Sequence, residues 1–269
     1  MTAGRSYTAG LEPWLGRTVI SVGRAAYLGP ASDTTPHSHH ALQASVGING
    51  PVRMRAPGQA WREFDAALVP PDVAHQLDAS GCPVLLIYLE PESDEGRRWL
   101  RTTDREISAL DCADAVRATL HEFPNRPSTE INLSEAMIRV LQSAGVSAGS
   151  RSPSDARVGL AIRLLRDEAS TFGSPSELAR EVGLSPSRFR HLFREQVGIS
   201  TQSYIVWLRL YRACKALARG ASLSGAALEA GFADGAHFTR TFRRTFGLAP
   251  SQIAGRIEFL EPESIGAIS

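Results

Sequence analysis

The feature that most constrains this 269-residue chain is an internal repeat in its C-terminal half. The segment SPSRFRHLFREQVG, residues 185–198, recurs 49 residues later as DGAHFTRTFRRTFG, residues 234–247. Phe189 and Phe193 of the first copy share one face of a helix, and Phe238 and Phe242 hold the same places in the second. The repeat therefore predicts two amphipathic helices with aromatic inner faces and polar outer faces.

A short helix and a glycine turn precede each copy. In SPSELAREVG, Ser174 is a predicted N-cap, Glu177 takes the N3 position and Gly183 ends the helix. The same turn recurs at Gly231. The sequence between the copies predicts a helix over residues 201–218, which would be about 27 Å long. A short helix, a turn and a second helix form the helix-turn-helix pattern, so one chain could read two successive major grooves.

The charge of the chain is divided between its halves. Residues 1–150 carry a net charge of −4 and residues 151–269 a net charge of +5, and 15 of the 16 basic residues after position 150 are arginine. Arginine offers bidentate hydrogen bonds to phosphate and guanine as well as charge. This asymmetry places any nucleic-acid surface in the C-terminal half.

The outer faces of the two repeated helices supply the candidate DNA contacts. Single basic helix faces are usually only solvated, but two copies with the same buried aromatics and glycine turns favour a shared binding role. We predict base-edge contacts from Arg190, His191 and Arg240. The predicted phosphate contacts, which position the protein without reading sequence, are Arg188, Arg194, Arg243 and Arg244.

The C-terminal half also resembles the AraC/XylS family of transcription regulators over residues 155–255. The resemblance rests on LAREVGLSPSRFRHLFREQVGIS, RLYRACKALARG and AGFADGAHFTRTFRRTFGLAPSQ. It implies two helix-turn-helix units joined by a long helix, a promoter site and action through RNA polymerase. The base-contacting positions that the resemblance implies are Ser187, Arg190, His191, Gly235, Ala236, His237, Thr239 and Arg240. Because Gly235 and Ala236 offer little side chain, we expect the first copy to carry more of the base discrimination.

The N-terminal half has a different pattern. Short apolar segments at residues 17–22, 44–48, 67–69 and 84–89 are separated by Gly and Pro, which predicts a small antiparallel barrel or sandwich. From residue 104 the pattern becomes helical, with Ile107, Leu110, Val116 and Leu120 on one stripe and a second helix over 133–141. These helices either form a dimer face or pack on the barrel. Residues 146–154 are small and polar and predict a linker.

Histidines are concentrated in HSHHALQ, residues 37–43, and His75 follows a Pro-rich turn. Imidazole is a good ligand for divalent transition metals. The arrangement resembles the two cupin motifs, which implies that His37, His39, Gln43 and His75 hold a metal or line an effector pocket. Gln43 stands where the family has glutamate and Asp72 where it has glycine. The alternative is that these histidines only line a pocket or lie on a surface loop.

The whole chain is predicted to be an α+β protein. Residues 1–145 would form a cupin-like antiparallel β-barrel with following helices, and residues 155–258 an all-α double helix-turn-helix domain. The predicted function is a cytoplasmic, homodimeric transcription regulator controlled by a small molecule or metal. It is not expected to be an enzyme. The rival hypothesis is a metal-dependent cupin enzyme that uses His37, His39 and His75 and carries the C-terminal half for targeting.

The remaining indications are negative. The chain has no apolar run that would span a bilayer and no export signal, which excludes membrane residence. Its three cysteines, Cys82, Cys112 and Cys214, are scattered and odd in number, so a disulfide framework is not expected. The aromatic residues Trp61, Phe64 and Tyr88 are either core or pocket wall, and their strand context favours core.

Overall fold

The computed structural model describes residues 14–31, 33–79, 82–91, 93–101, 106–121, 133, 137–138, 140–142, 155–167, 174–197 and 199–260. Within these ranges the N-terminal part is built from strands and the C-terminal part from helices, so the α+β class is confirmed. The strands are β1 Gly16–Ser21, β2 Arg24–Pro30, β3 Leu42–Gly47, β4 Val52–Arg55, β5 Arg62–Phe64, β6 Ala66–Val69, β7 Gln76–Asp78, β8 Pro83–Leu89, β9 Ser108–Ala109 and β10 Ile257–Phe259. The helices are α1 Asp94–Leu100, α2 Ala113–His121, α3 Ala156–Arg166, α4 Pro175–Glu181, α5 Pro186–Val197, α6 Thr201–Ala218, α7 Leu223–Glu229 and α8 Gly235–Phe246.

Two sheets form the N-terminal part. The larger has the order β10-β1-β2-β8-β3-β6-β9, and the smaller the order β5-β4-β7. All pairs are antiparallel except β1 with β10, which is parallel. An isolated antiparallel bridge between His37 and His75 also joins the two histidine segments.

Both faces of the larger sheet are buried, as its central strand β8 shows. Leu86 and Tyr88 point into a core shared with the C-terminal helices, whereas Leu85 and Ile87 point into a second core. This alternation follows the two-residue period of a strand, and burial on both faces explains the unbroken apolar sequence PVLLIYL.

The helices that follow the barrel pack on the outer face of the larger sheet. Val116 of α2 and the helical residues Leu133, Met137 and Val140 are buried in the same core as Leu85 and its neighbours. Of the two roles left open for residues 104–142, packing on the barrel is the one that the described residues show. The predicted linker at 146–154 lies outside the described residues.

The predicted start of the first of these helices at residue 104 is wrong. Ser108–Ala109 form strand β9, which pairs with β6, and α2 begins only at Ala113. The edge of β6 offers free backbone groups, and pairing with them outweighs the helical pattern of Ile107 and Leu110. The sequence also missed α1, whose N-cap Ser93 accepts a hydrogen bond from the Gly96 amide.

Side-chain caps begin two helices of the C-terminal half: the cap predicted at Ser174 forms, and Asp234 supplies one that was not predicted. Ser174 accepts from the Glu177 amide at the start of α4, and Asp234 accepts from the His237 amide at the start of α8. Gly183 and Gly231 adopt φ angles of 68° and 80°, the left-handed conformation that a tight turn after a helix requires. Helix α6 has the 18 residues expected of the bridge between the two units.

The last strand links the two halves. β10 begins within the predicted DNA-binding domain of residues 155–258, yet Ile257 and Glu258 pair with Gly16 and Arg17 of β1. Arg17 also forms an ion pair with Glu258 at 2.7 Å. The domain boundaries stay a prediction, but the chain returns to the N-terminal sheet after the second helix-turn-helix unit.

Candidate DNA interface and histidine site

The two helix-turn-helix units have separate interiors. Phe189, Phe193 and Tyr204 pack in the first unit with ring centroids about 5.4–5.5 Å apart. The second unit packs Phe232, Phe238 and Phe242 with the inner face of the larger sheet. The aromatic inner faces that the repeat predicted are therefore buried in both copies.

The predicted DNA contacts of the first unit are all exposed on one helix, α5. Its buried residues are Phe189, Leu192 and Phe193. The opposite surface carries the exposed side chains of Ser187, Arg188, Arg190, His191 and Arg194. His191 lies 4.0 Å from Glu195, and no ion pair holds Arg190 within the described part of the chain. The cationic surface of α5 is accessible to a polyanion.

The corresponding surface of α8 is less open. Ala236, Arg240, Arg243 and Arg244 are exposed, whereas Gly235, His237 and Thr239 are half-buried. The His237 ring lies edge-on to Phe232 with centroids 5.3 Å apart, and its Nδ1 accepts from the Ala233 amide at 3.4 Å. These local contacts hold the His237 ring against its own unit, which leaves Arg240 as the long side chain at the centre of the surface.

The N-terminal histidines converge. His37, His39 and His75 place possible ligand atoms within 4.8 Å of one another, and His39 and His75 are buried. His37 and His75 are held by their backbone bridge, with N–H to O distances of 3.0 and 2.8 Å between donor and acceptor atoms. The predicted clustering of these three side chains is therefore present in the fold.

Each of the three imidazoles has its Nδ1 next to a backbone carbonyl. The distances are 2.9 Å from His37 to Thr35, 2.8 Å from His39 to Ala41 and 2.8 Å from His75 to Val73. Because a carbonyl oxygen can only accept, the proton of each neutral ring lies on Nδ1 and the Nε2 lone pair is left open. This is how proteins fix the tautomer of a metal-binding histidine.

The electrostatics favour the neutral rings. Burial lowers the pKa of His37, and burial lowers the pKa of His39 to about 4 and that of His75 to about 3. The His75 Nε2 is buried without a hydrogen-bond partner. An unpartnered buried nitrogen is costly, and a bound cation would satisfy it. The residues present therefore fit a divalent transition metal held by three imidazole nitrogens.

Gln43 lies beside this site. Its amide is 2.7 Å from His39 Nε2 and 2.8 Å from the Ser45 hydroxyl. In the structure Gln43 Oε1 faces His39 Nε2 and Gln43 Nε2 donates to the Ser45 hydroxyl, whereas a neutral His39 with its proton on Nδ1 requires the Gln43 amide to be turned over. Gln43 thus competes with a metal for one of the three nitrogens. Asp72, which stands where the cupin motif has glycine, has a φ of 60°, and its amide donates to the His39 carbonyl.

The sequence did not predict a cavity between the larger sheet and the second helix-turn-helix unit. The lining side chains are apolar or uncharged and include Trp14, Tyr27, Tyr88, Leu217, Phe242 and Phe246. The hydroxyls of Thr18 and Tyr27 already donate to the carbonyls of Ala26 and Pro30. The repeat contained one indication of this cavity wall. Phe246 stands where the first copy has the smaller Val197, so the second helix has an additional aromatic side chain to bury.

Tyr88 joins this cavity to the histidine site. Its ring contacts His39 on one side and Phe246 on the other, with centroids 5.6 and 5.3 Å apart. The core interpretation of Tyr88 and Phe64 holds, since both are 5% exposed, and Tyr88 is also a cavity wall. Trp61 is only half-buried and lies under the guanidinium groups of Arg53 and Arg55.

Comparison with known proteins bears on the C-terminal half. A family described as a helix-turn-helix domain matches residues 178–256. The virulence regulon transcriptional activator VirF of Yersinia enterocolitica is 40% identical over 78 residues, which are 29% of each chain. The arabinose operon regulatory protein of Salmonella typhimurium is 32% identical over 130 residues, 48% of this chain and 46% of that protein. The C-terminal half is therefore similar to the helix-turn-helix domains of these regulators.

The family resemblance is confined to part of each protein. The chain spans between 29% and 46% of the length of these two regulators. Among solved structures, ToxT of Vibrio cholerae aligns with 88% of this chain and 98% of its own, at 14% identity and a TM-score of 0.49. Within the described residues, no helix is both long enough and apolar enough to cross a bilayer.

Proposed function

We propose that the chain is a sequence-specific DNA-binding transcription regulator of the AraC/XylS family. The observation that carries the proposal is the pair of helices α5 and α8, each with a buried aromatic face and an exposed cationic face within the matched domain. The names of the two regulators described above support the same class of function. Double-stranded DNA is the proposed partner, with RNA polymerase engaged at the promoter.

The roles of the arginines within this interface can be separated by experiment. We expect Arg240→Ala to reduce discrimination between target and scrambled DNA, because an exposed arginine can donate two hydrogen bonds to guanine O6 and N7. Arg243→Ala is the matched control one turn along the same exposed helix face. It should weaken binding to both DNAs about equally and reduce the slope of log affinity against log salt by about 1.

The test uses DNA fragments that the full-length protein retains from a genomic library. Binding of wild type and both variants to the enriched fragment and to its scrambled version is measured across salt concentrations. Failure to enrich any sequence would contradict the proposed function. Equal losses on both DNAs for both variants would contradict only the division of roles.

We further propose that a small molecule controls the regulator from the cavity between the sheet and the second helix-turn-helix unit. Because the lining has no charged side chain and the Thr18 and Tyr27 hydroxyls are already bonded, a neutral apolar molecule fits best. Such a molecule would touch β1, β2 and α8 at once and alter how the two halves pack. Calorimetric titration of the protein with a neutral apolar compound and with a carboxylate of the same size tests this preference. Equal affinity for the two compounds would contradict it.

The histidine site is a second point of control in this proposal. His37, His39 and His75 would hold a divalent transition metal, which supplies positive charge and a further coordination position when bound. The contact from Gln43 would hold the His39 ring in position. The proposed regulator is a homodimer, as predicted from the sequence. Elemental analysis of untagged protein, with His75→Ala as control, checks whether the metal is retained.

The enzyme alternative depends on the same three histidines. A cupin enzyme needs a substrate space open to the metal, and the described surface next to the site is covered by the end of α8. Turnover of a substrate by metal-loaded protein, lost in His75→Ala, would favour the enzyme over the regulator.

A further inference from the structure

The histidine site lies on the boundary between the N-terminal sheet and the second helix-turn-helix unit. The amide of His40 donates a 2.8 Å hydrogen bond to the carbonyl of Arg244, near the C-terminal end of α8. Two residues farther on, Phe246 packs against Tyr88 and Trp207. The end of α8 is therefore docked on the segment that carries the histidines.

Gly247 occupies the mouth of the site. It ends α8 in the left-handed conformation, with a φ of 78°. A Cβ added here would lie 2.7 Å from His37 Nε2 and 3.0 Å from His39 Cδ2, and closer still to His37 Cδ2. Only a residue without a side chain fits at this distance, so the backbone of Gly247 fills the space in front of the His37 and His39 edges.

In the described arrangement the three ligand atoms are too far apart to bind one metal ion together. Zinc–imidazole bonds of about 2.0–2.1 Å put two coordinating nitrogens at most about 4.2 Å apart, whereas the ligand atoms here are separated by up to 4.8 Å. The rings must therefore draw together on binding, and His37, the least buried of the three, lies against Gly247.

We propose that a divalent metal at His37, His39 and His75 and the docked end of α8 exclude each other. Loading of the site displaces Gly247, breaks the bond from His40 to Arg244 and releases the second DNA-reading helix from the N-terminal sheet. The inference rests on the proposed function only in that the released helix α8 is proposed to bind DNA. By thermodynamic reciprocity, any change that weakens docking at a distance must tighten metal binding by the same factor.

The chain offers matched variants for this linkage. Trp207 donates a 2.7 Å hydrogen bond from Nε1 to the buried Glu90 carboxylate across the boundary, away from the three ligands. Trp207→Phe removes this bond, and Trp99→Phe makes the same change at an equally buried position in the other core.

The experiment titrates the full-length, metal-free protein with Co²⁺ and follows the ligand-field absorption. We expect Trp207→Phe to bind Co²⁺ about tenfold more tightly than Trp99→Phe. His75→Ala should remove the absorption change. If Trp207→Phe binds Co²⁺ no more tightly than Trp99→Phe, the exclusion is overturned.

A second measurement reports docking without reference to DNA. Hydrogen–deuterium exchange of the peptide that contains the His40 amide should become at least several-fold faster on Co²⁺ loading in the wild type. Slower or unchanged exchange in the loaded protein would overturn the proposal. Failure to bind any DNA selectively would remove the proposed function but leave both measurements valid, so the two failures are distinguishable.

Discussion

At the scale of single residues, backbone conformation explains two positions that look exceptional in the sequence. Asp72 and Gly247 both adopt positive φ, and each lies next to the histidine site. At Gly247 the absence of a side chain is required by the neighbouring rings as well as by φ. At Asp72 only the conformation is demanding, because its side chain is 73% exposed.

This difference predicts the outcome of substitution at Asp72. Asp72→Gly should keep or raise the free energy of unfolding, because glycine adopts a φ of 60° without strain. Asp72→Ala should lower it by about 1 kcal/mol, because alanine tolerates this conformation poorly. Urea unfolding of the two variants checks the order, and a more stable alanine variant would contradict it.

At the scale of elements, the two helix-turn-helix units are alike in their caps and turns but differ at the end of the second helix. Val197 closes α5 as a half-buried residue, whereas Phe246 closes α8 as a buried aromatic that reaches Tyr88 and Trp207. The two copies therefore have the same fold but pack differently. The first unit has its own core, and the second shares its core with the sheet.

Replacement of Phe246 should weaken the packing of the second unit on the sheet without unfolding that unit. Phe246→Val gives the second unit the residue of the first, and we expect it to weaken docking by about 2–4 kcal/mol through lost burial. The expected result is earlier proteolysis at the domain boundary with intact DNA-binding fragments. Val197→Ala is the control, because it shortens the side chain at the corresponding end of α5. If both variants resist the protease equally, Phe246 does not hold the second unit on the sheet.

At the scale of the whole molecule, the histidine site ties stability to pH. The pKa of His39 lies at about 4 and that of His75 at about 3, below the ordinary 6.5, and burial is the first cause of each shift. Below pH 6.5 the unfolded chain therefore binds more protons than the folded chain. The stability that the neutral rings allow is complete above pH 6.5 and is lost as the pH falls toward these values.

We expect the free energy of unfolding of metal-free protein to fall by on the order of 3 kcal/mol per histidine between pH 6.5 and 4. His75→Asn removes one of these titrations and should show a shallower fall over the same interval. The measurement is urea unfolding with a chelator present at several pH values. An unchanged slope in His75→Asn would show that other groups cause the pH dependence.

The described chain also shows which features followed from local sequence. The caps at Ser174 and Asp234, the turns at Gly183 and Gly231 and the length of α6 all depend on residues within a few positions of one another. Period-two and helical patterns act over the same short range, so the β and α halves could be predicted. Strand β9 could not, because its pairing partner on β6 is about 40 residues away.

Local residue type and spacing predicted the two cationic helix faces and the histidines of residues 37–40, whereas His75 joined the predicted cluster only through the resemblance to the cupin motifs. Only the tertiary structure brought the end of α8 onto that cluster and Trp207 onto Glu90. These contacts join residues more than 100 positions apart, and no local pattern encodes such a pairing. Long-range packing of the two halves therefore decided which residues surround the histidines, while the sequence alone determined the residue types on the two cationic helix faces.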